Sequence, residues 1–109
     1  MGARNLKYNM PRHVADIVSA VYADYGRREA ELKRKAQSKA VLEKYEELNV
    51  AVEIALECVE ESIREAILGD ITRGRGYEAS PLYLIMAKNT YYERKREVMC
   101  ELGRILALI

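Results

Sequence analysis

The chain has 109 residues, a formal net charge of +1 and neither phenylalanine nor tryptophan, so tyrosine supplies all of its aromatic side chains. This length suits a single domain with a modest, mainly aliphatic core. No apolar run approaches the roughly 18 residues that a membrane-spanning helix needs, and the first residues lack the hydrophobic centre of a signal peptide. We therefore expect a cytoplasmic protein without a membrane contact.

Charge is distributed in three blocks along the chain. Residues 1–39 carry a net charge of +5, residues 40–65 carry −6 and residues 66–109 carry +2. Two interpretations fit this order. The basic ends could face nucleic acid, with the acidic block as a connector. Alternatively, the basic first helix packs beside the acidic one, with surface ion pairs worth about 0–1 kcal/mol each.

The first two thirds of the chain contain few glycines or prolines, and apolar residues recur there at spacings of three and four. This pattern predicts a first helix from about Pro11 to Lys35 or beyond, with Gly26 as a weak point. It predicts a second helix over residues 38–59 and a third over residues 62–71. The last two could form one continuous helix.

Helix-capping residues and glycines support this division into helices. Ser62 and Glu65 match a capping box, which favours a helix start after residue 61. Gly74 and Gly76 predict a loop that ends at Ser80. We therefore predict an all-α protein of four or five helices in one domain, residues 1–109. Its N-terminal part, residues 1–59, consists of long helices suited to dimerisation, and residues 60–109 form a second part.

Residues 80–109 have the layout of a helix-turn-helix. Ser80 is a good N-cap and Pro81 suits a first helical position, so the apolar run that follows predicts a short helix. Lys88 and Asn89 form a turn, and Thr90 with Glu93 makes a capping box at the start of a longer helix. In a helix-turn-helix the second helix enters the major groove of DNA.

Several short motifs between Ala55 and Ile109 resemble the C-terminal part of RinA/ArpU-type phage transcriptional regulators. They are Ala55-Leu56, Ile63-Arg64-Glu65-Ala66-Ile67, Thr90-Tyr91-Tyr92-x-Arg94-Lys95 and Leu102 with Ile105-Leu106. The resemblance implies a phage or prophage DNA-binding regulator with a sigma-factor-like helix-turn-helix. Its partners would be double-stranded DNA, a second copy of the chain, and RNA polymerase or another phage protein. The chain departs from the pattern at Tyr83-Leu84-Ile85-Met86, where sigma-like domains are more polar.

Geometry assigns roles within this unit, because residues near the start of a recognition helix reach base edges while flanking cations hold phosphates. The candidates for groove contact are Thr90, Tyr91, Glu93, Arg94 and Glu97. The candidates for phosphate contact are Lys88, Arg96, Arg73 and Arg75.

Some of these positions have competing interpretations. Tyr91 and Tyr92 lie about 100° apart around a helix, so one should be buried, and we expect Tyr92 to be that one. The segment 94–96 could instead be a solvated helix face. In the loop 72–77, we favour a helix stopped by Gly74 over a phosphate-binding loop.

The main alternative is a helical interaction or assembly module, such as a phage packaging or scaffold-like protein. The apolar stripe of the first helix and the tail over residues 105–109 exceed what a small monomer would bury. A more distant alternative is a nucleotide pyrophosphatase resembling MazG, which would use the pairs Glu43/Glu46 and Glu57/Glu60 to hold Mg²⁺. The expected second acidic motif of that class is missing.

We predict no enzymatic activity, no cofactor and no metal site. His13 is the sole histidine and lies at a helix start. Cys58 and Cys100 are isolated, so they form neither a disulfide framework nor a zinc site and act as small apolar residues.

Overall fold

The computed structural model describes residues 10–109 and, within them, contains five α-helices and no strand. The helices are α1 (Arg12–Ala23), α2 (Tyr25–Arg34), α3 (Lys39–Ala55), α4 (Glu61–Arg73) and α5 (Lys88–Ile105). Single 3₁₀ turns follow α3 (Leu56–Cys58) and precede the α5 segment (Tyr77–Ala79). This confirms the predicted all-α class.

The predicted first helix is divided at Asp24, two residues before the expected weak point at Gly26. The Asp24 backbone leaves the helical region, with φ −92° and ψ 2°. Its carboxylate accepts two hydrogen bonds from the guanidinium group of Arg27, which lies in the first turn of α2. An aspartate whose side chain binds nearby groups favours such breaks.

α3 and α4 are separate helices, which decides between the two possibilities that the sequence left open. Ser38 caps α3 by accepting a hydrogen bond from the Val41 N–H at 3.3 Å. The capping box predicted at Ser62 is wrong, because Glu60 is the N-cap of α4 and gives no side-chain cap. α4 ends at Gly74, whose φ of +68° suits a residue without a Cβ.

The core lies where α1, α3, α4 and α5 meet. One face of each helix supplies fully buried side chains, and these include Val18 and Tyr22 of α1, Val52 of α3, Ile67 of α4, and Val98 and Leu102 of α5. The Tyr22 hydroxyl donates to the Val98 carbonyl at 2.8 Å. The single polar atom of this large side chain is therefore satisfied inside the core.

α2 and the first half of α3 form an antiparallel hairpin, which is joined to the core by a buried arginine. The Arg28 side chain is 3% exposed. Its Nε donates to Asn49 Oδ1 at 2.6 Å and its Nη2 donates to the Val21 carbonyl at 2.7 Å. Burial lowers the pKa of Arg28, and Asp24 acts in the opposite direction. Arg28 thus connects α1, α2 and α3 at one point.

The apolar tail over residues 105–109, which we expected to exceed what a monomer buries, is only partly packed against the core. The Leu108 N–H donates to the Gly103 carbonyl at 2.8 Å, so the chain turns back after α5. Leu106 and Leu108 pack against the core, whereas Ile105 and Ile109 stay 39% and 47% exposed.

We predict that Arg28→Ala lowers the free energy of unfolding by about 2–4 kcal/mol, because it removes a buried group and leaves its partners unsatisfied. Arg27→Ala is the matched control. Its side chain is 53% exposed and forms a surface pair with Asp24, so its loss should change the free energy of unfolding much less than the loss of Arg28. Urea unfolding followed by circular dichroism measures both. Equal losses would contradict the assigned role of Arg28.

Candidate functional site

The segment between α4 and α5 is not the short helix that the sequence predicted. Residues 80–86 form successive turns, with an isolated bridge between Tyr83 and Met86. Ser80 does not cap a helix, and its hydroxyl instead accepts from the Leu82 N–H at 3.0 Å. All five residues of the run 82–86 are apolar, so a helix there would present apolar side chains on every face and could not bury them all against one side of the core.

The start of α5 also differs from the prediction. The helix begins at Lys88 after Ala87, which provides no side-chain cap. Thr90 therefore lies inside the first turn, and the capping box with Glu93 is not formed. The predicted turn at Lys88 and Asn89 is likewise part of α5. A helix-turn-helix with a short first helix and a tight turn is thus absent from the described chain.

A tyrosine cluster around a buried aspartate holds this region together. The Asp70 carboxylate is fully buried; its Oδ1 accepts from Arg75 Nε and its Oδ2 accepts from the Tyr91 hydroxyl, each at 2.8 Å. The Tyr77 N–H donates to the Tyr92 hydroxyl at 3.1 Å. Burial, followed by the Asp70 hydrogen bond, raises the pKa of Tyr91.

This cluster supports an exposed apolar tip, which we define as Tyr83, Leu84 and Ile85. Their exposed fractions are 43%, 77% and 75%. The Leu84 N–H donates to the Tyr77 hydroxyl at 3.1 Å, and that hydroxyl donates to the Met86 carbonyl at 2.6 Å. Two turns of backbone hydrogen bonds and a buried tyrosine therefore hold the tip in one conformation.

The tip also contains an unfavourable backbone conformation. Leu84 has a φ of +65°, which costs a residue with a Cβ about 1–2 kcal/mol. Strained residues of this kind cluster at functional sites, since ordinary turns can use glycine instead.

A groove of about 830 Å³ lies beside the base of the tip, with Pro81 in its wall. Small or apolar residues form much of its surface: Ala23, Gly26, Ala66, Leu68 and Gly69. The charged residues that line it are Glu29, Glu65, Arg73 and Arg75. A Cβ added at Gly69 would lie 3.0 Å from both Arg73 Nη1 and Arg75 Nη2. The glycine therefore lets two guanidinium groups converge on one point of the groove.

The nine residues predicted to contact DNA differ in their burial and in their contacts with other side chains. Tyr91 is fully buried, so its assignment to the groove contact is wrong, as is the expectation that Tyr92 is the buried tyrosine. The reason is the Asp70 carboxylate, which binds the hydroxyl of Tyr91 inside the fold. Nothing in the sequence pattern indicated which tyrosine would meet this acid.

Arg94 is surrounded by carboxylates. Its guanidinium lies 3.2 Å from Glu97, 3.4 Å from Glu60 and 3.8 Å from Glu93, and its side chain is 26% exposed. A contact between Arg94 and a guanine would have to replace these three pairs. Glu97, also predicted in the groove, is 16% exposed and faces Arg94.

The remaining predicted residues lie in different surroundings. Arg75 is bound to Asp70, and Lys88 lies 3.4 Å from Glu78. Arg73 is exposed at the groove, and Glu93 is exposed on α5. Thr90 and Arg96 are half-buried. These residues do not converge on one basic surface.

The candidate site residues that the sequence interpretation did not single out are Leu84 and Ile85. A signal was available in the unbroken run Leu82-Tyr83-Leu84-Ile85-Met86 directly after Ser80-Pro81. Such a run in a soluble domain is either buried on all sides or presented to a partner.

Residues 10–109 contain no group of three or more histidine, cysteine, aspartate or glutamate side chains placed to hold a metal ion. Among the helices of the same part of the chain, none combines the length and the apolar content needed to cross a membrane.

Comparison with protein-family models, with curated proteins and with solved structures finds no match to this chain. The resemblance to RinA/ArpU-type regulators therefore stays a prediction.

We predict that Asp70→Asn lowers the free energy of unfolding by about 2–4 kcal/mol, because it leaves Arg75 without its buried anion and weakens the hydrogen bond from Tyr91. Asp16→Asn, at an exposed position of α1, should change it by less than about 0.5 kcal/mol. Thermal unfolding of the two variants measures both changes in stability. A Tm for Asp70→Asn within a degree of the control would show that the carboxylate is dispensable.

We also predict slow alkylation of Cys58. Burial, with Glu101 and Glu97 nearby, raises the pKa of its thiol to about 11, so little thiolate exists at neutral pH. Iodoacetamide at pH 8 should modify Cys58 at least about tenfold more slowly in the folded chain than in urea. The folded rate should rise as the pH approaches the raised pKa. Peptide mass spectrometry separates Cys58 from Cys100, and equal folded and unfolded rates would contradict the prediction.

Proposed function

We propose that the protein is a non-enzymatic helical assembly module that self-associates through its apolar tip. The observation that carries this proposal is the fixed, outward position of Leu84 and Ile85, 77% and 75% exposed. Burying two such side chains against a partner would contribute about 1.5–3 kcal/mol each. A monomer gains nothing from leaving them in water.

The rigidity of the tip supports binding. A mobile loop would lose conformational entropy on docking, whereas a preformed tip avoids most of that cost. Tyr77 provides the preformed geometry, because its hydroxyl bonds the backbone on both sides of Ile85. The free protein tolerates the unfavourable backbone conformation at Leu84, and in this conformation the side chain is exposed to solvent.

The occupant that we propose is a second copy of the chain. Pro81 belongs to the groove and lies three residues before Leu84, so tip and groove are adjacent. A two-fold axis between two copies would let each tip fill the other groove, which gives a closed dimer. The small residues Ala23, Gly26 and Gly69 leave room for branched apolar side chains.

Charge complementarity supports the same arrangement. The groove presents the converging guanidinium groups of Arg73 and Arg75 beside Glu29 and Glu65. Arg75 is already paired with Asp70, so Arg73 is the cation that the groove offers to a partner. Glu78, whose side chain is 65% exposed and lies 3.4 Å from Lys88, would meet Arg73 of the other copy. The net charge of +1 leaves little general repulsion between copies.

We predict that Leu84→Asp with Ile85→Asp makes the protein monomeric. Its Tm should equal that of the natural chain diluted to the monomer, because both side chains are in water in the monomer. Ile54→Asp is the matched control, since Ile54 is 48% exposed on α3, away from the tip. Sedimentation velocity over a range of concentrations measures the mass. The natural chain and the control should associate, and the tip variant should not.

A charge exchange then tests the groove. Glu78→Arg and Arg73→Glu should each weaken association, and the double variant should recover part of it if the two residues meet across the interface. A natural chain that stays monomeric at high concentration would refute the assembly proposal. Additive losses in the double variant would refute the tip-in-groove arrangement alone.

DNA binding, as a phage-type transcriptional regulator, is the second candidate. The observation that favours it is the open first turn of α5, where Lys88 and Asn89 are exposed and no side chain caps the helix. Such a helix start favours a phosphate group. RNA polymerase or another phage protein would then be a further partner.

A further inference from the structure

The end of the α2–α3 hairpin carries unpaired positive charge. Lys33, Lys35 and Lys39 are exposed and form no ion pair with any residue from 10 to 109. Arg34 lies beside them, 66% exposed, and pairs with Glu31 at 3.1 Å. α2 packs mainly on α3, so this end projects away from the core formed by the other helices.

Two of these lysines occupy positions where local structure disfavours them. Lys35 follows α2 with a φ of +56°, a left-handed conformation in which glycine is the usual residue and a side chain costs about 1–2 kcal/mol. Lys39 is the first residue of α3, where the helix dipole repels a cation by about 0.3–1 kcal/mol. The carbonyls at the C-terminus of α2 offset part of the cost at Lys35 by about 0.3–1 kcal/mol. On balance the two lysines do not stabilise the fold.

Acidic side chains do not cancel this charge. Glu31 is already paired with Arg34. Glu43 and Glu46 line a shallow groove together with Lys35 and Lys39, but they form no ion pair with them and lie one and two turns further along α3. The extreme end of the hairpin therefore presents Lys33, Arg34, Lys35 and Lys39, and of these only Arg34 is paired with a residue from 10 to 109.

The kind of partner follows from what surrounds the lysines. No large apolar side chain is exposed anywhere between residues 27 and 49, so this end has nothing to insert into a membrane or an apolar protein pocket. Flexible lysines without a fixed geometry suit a row of phosphates, which they contact as point charges.

We propose that the hairpin end, defined as Lys33, Lys35 and Lys39, binds the phosphate backbone of double-stranded DNA without reading its sequence. The affinity comes from release of counterions from the duplex, so it falls steeply with salt. This surface is separate from the apolar tip and from the first turn of α5. It therefore depends neither on self-association nor on a recognition helix.

The test measures fluorescence anisotropy of a labelled mixed-sequence duplex at two salt concentrations. The hairpin variant combines Lys35→Gly and Lys39→Glu. The matched control combines Arg12→Glu and Arg27→Gln, which removes the same three units of charge from exposed positions that belong to neither the tip, the groove nor the start of α5. The Tm of each variant and its mass in solution are measured in parallel, so failure of the assembly proposal is recognised separately.

The hairpin variant should bind at least about tenfold more weakly than the natural chain, and its log–log salt slope should fall by about two units. Its Tm should be unchanged or higher, because both substitutions relieve local strain. A structural role for the lysines would lower the Tm instead. The control should stay within about threefold of the natural chain.

Three results would overturn the proposal. They are loss of binding in the control alone, equal losses in both variants, and a natural chain that does not bind the duplex at low salt. The first would place the DNA contact on another part of the molecule, and the second would indicate a general charge effect.

Discussion

The buried Asp70 carboxylate is the constraint on which the C-terminal half depends. It sits on α4, fully buried, and binds Arg75 of the loop and Tyr91 of α5. An ionised carboxylate inside a small core is stable only while such donors surround it. Asp70 therefore fixes the loop after α4 and the rotation of α5 about its axis, so the other tyrosines have little freedom of position.

The apolar tip follows from that arrangement. With α5 fixed, the Tyr92 hydroxyl accepts from the Tyr77 backbone, and the Tyr77 ring packs edge-on against Tyr83 at a centroid distance of 5.2 Å. The Tyr77 hydroxyl then bonds the backbone at Leu84 and Met86. Successive contacts therefore connect the buried carboxylate of Asp70 to the backbone of the tip, where Leu84 and Ile85 are exposed to solvent. These contacts explain how a short segment without regular secondary structure is held in one conformation.

The hairpin is organised by a second buried charge of opposite sign. Arg28 joins α2 to α1 and α3 through Val21 and Asn49, so the hairpin is fixed to the core at its base. Its far end has no comparable contact and retains lysines that local structure disfavours. The molecule therefore places its apolar and its basic surface on different elements. A protein that assembles through one surface and holds a polyanion with the other would use both.

The sequence by itself determined the all-α class and the stop of α4 at Gly74. These features depend on apolar spacing and on backbone preferences that act over one or two turns. Only the tertiary structure decided that α3 and α4 are separate, that Tyr91 rather than Tyr92 is buried, and that residues 80–86 form turns instead of a helix. Only the fold also adds Glu60 to the local neighbours Glu93 and Glu97 around Arg94. The position of Tyr91 and the third pair of Arg94 depend on groups distant in the chain, Asp70 and Glu60, and local patterns carry no information about which distant groups will meet.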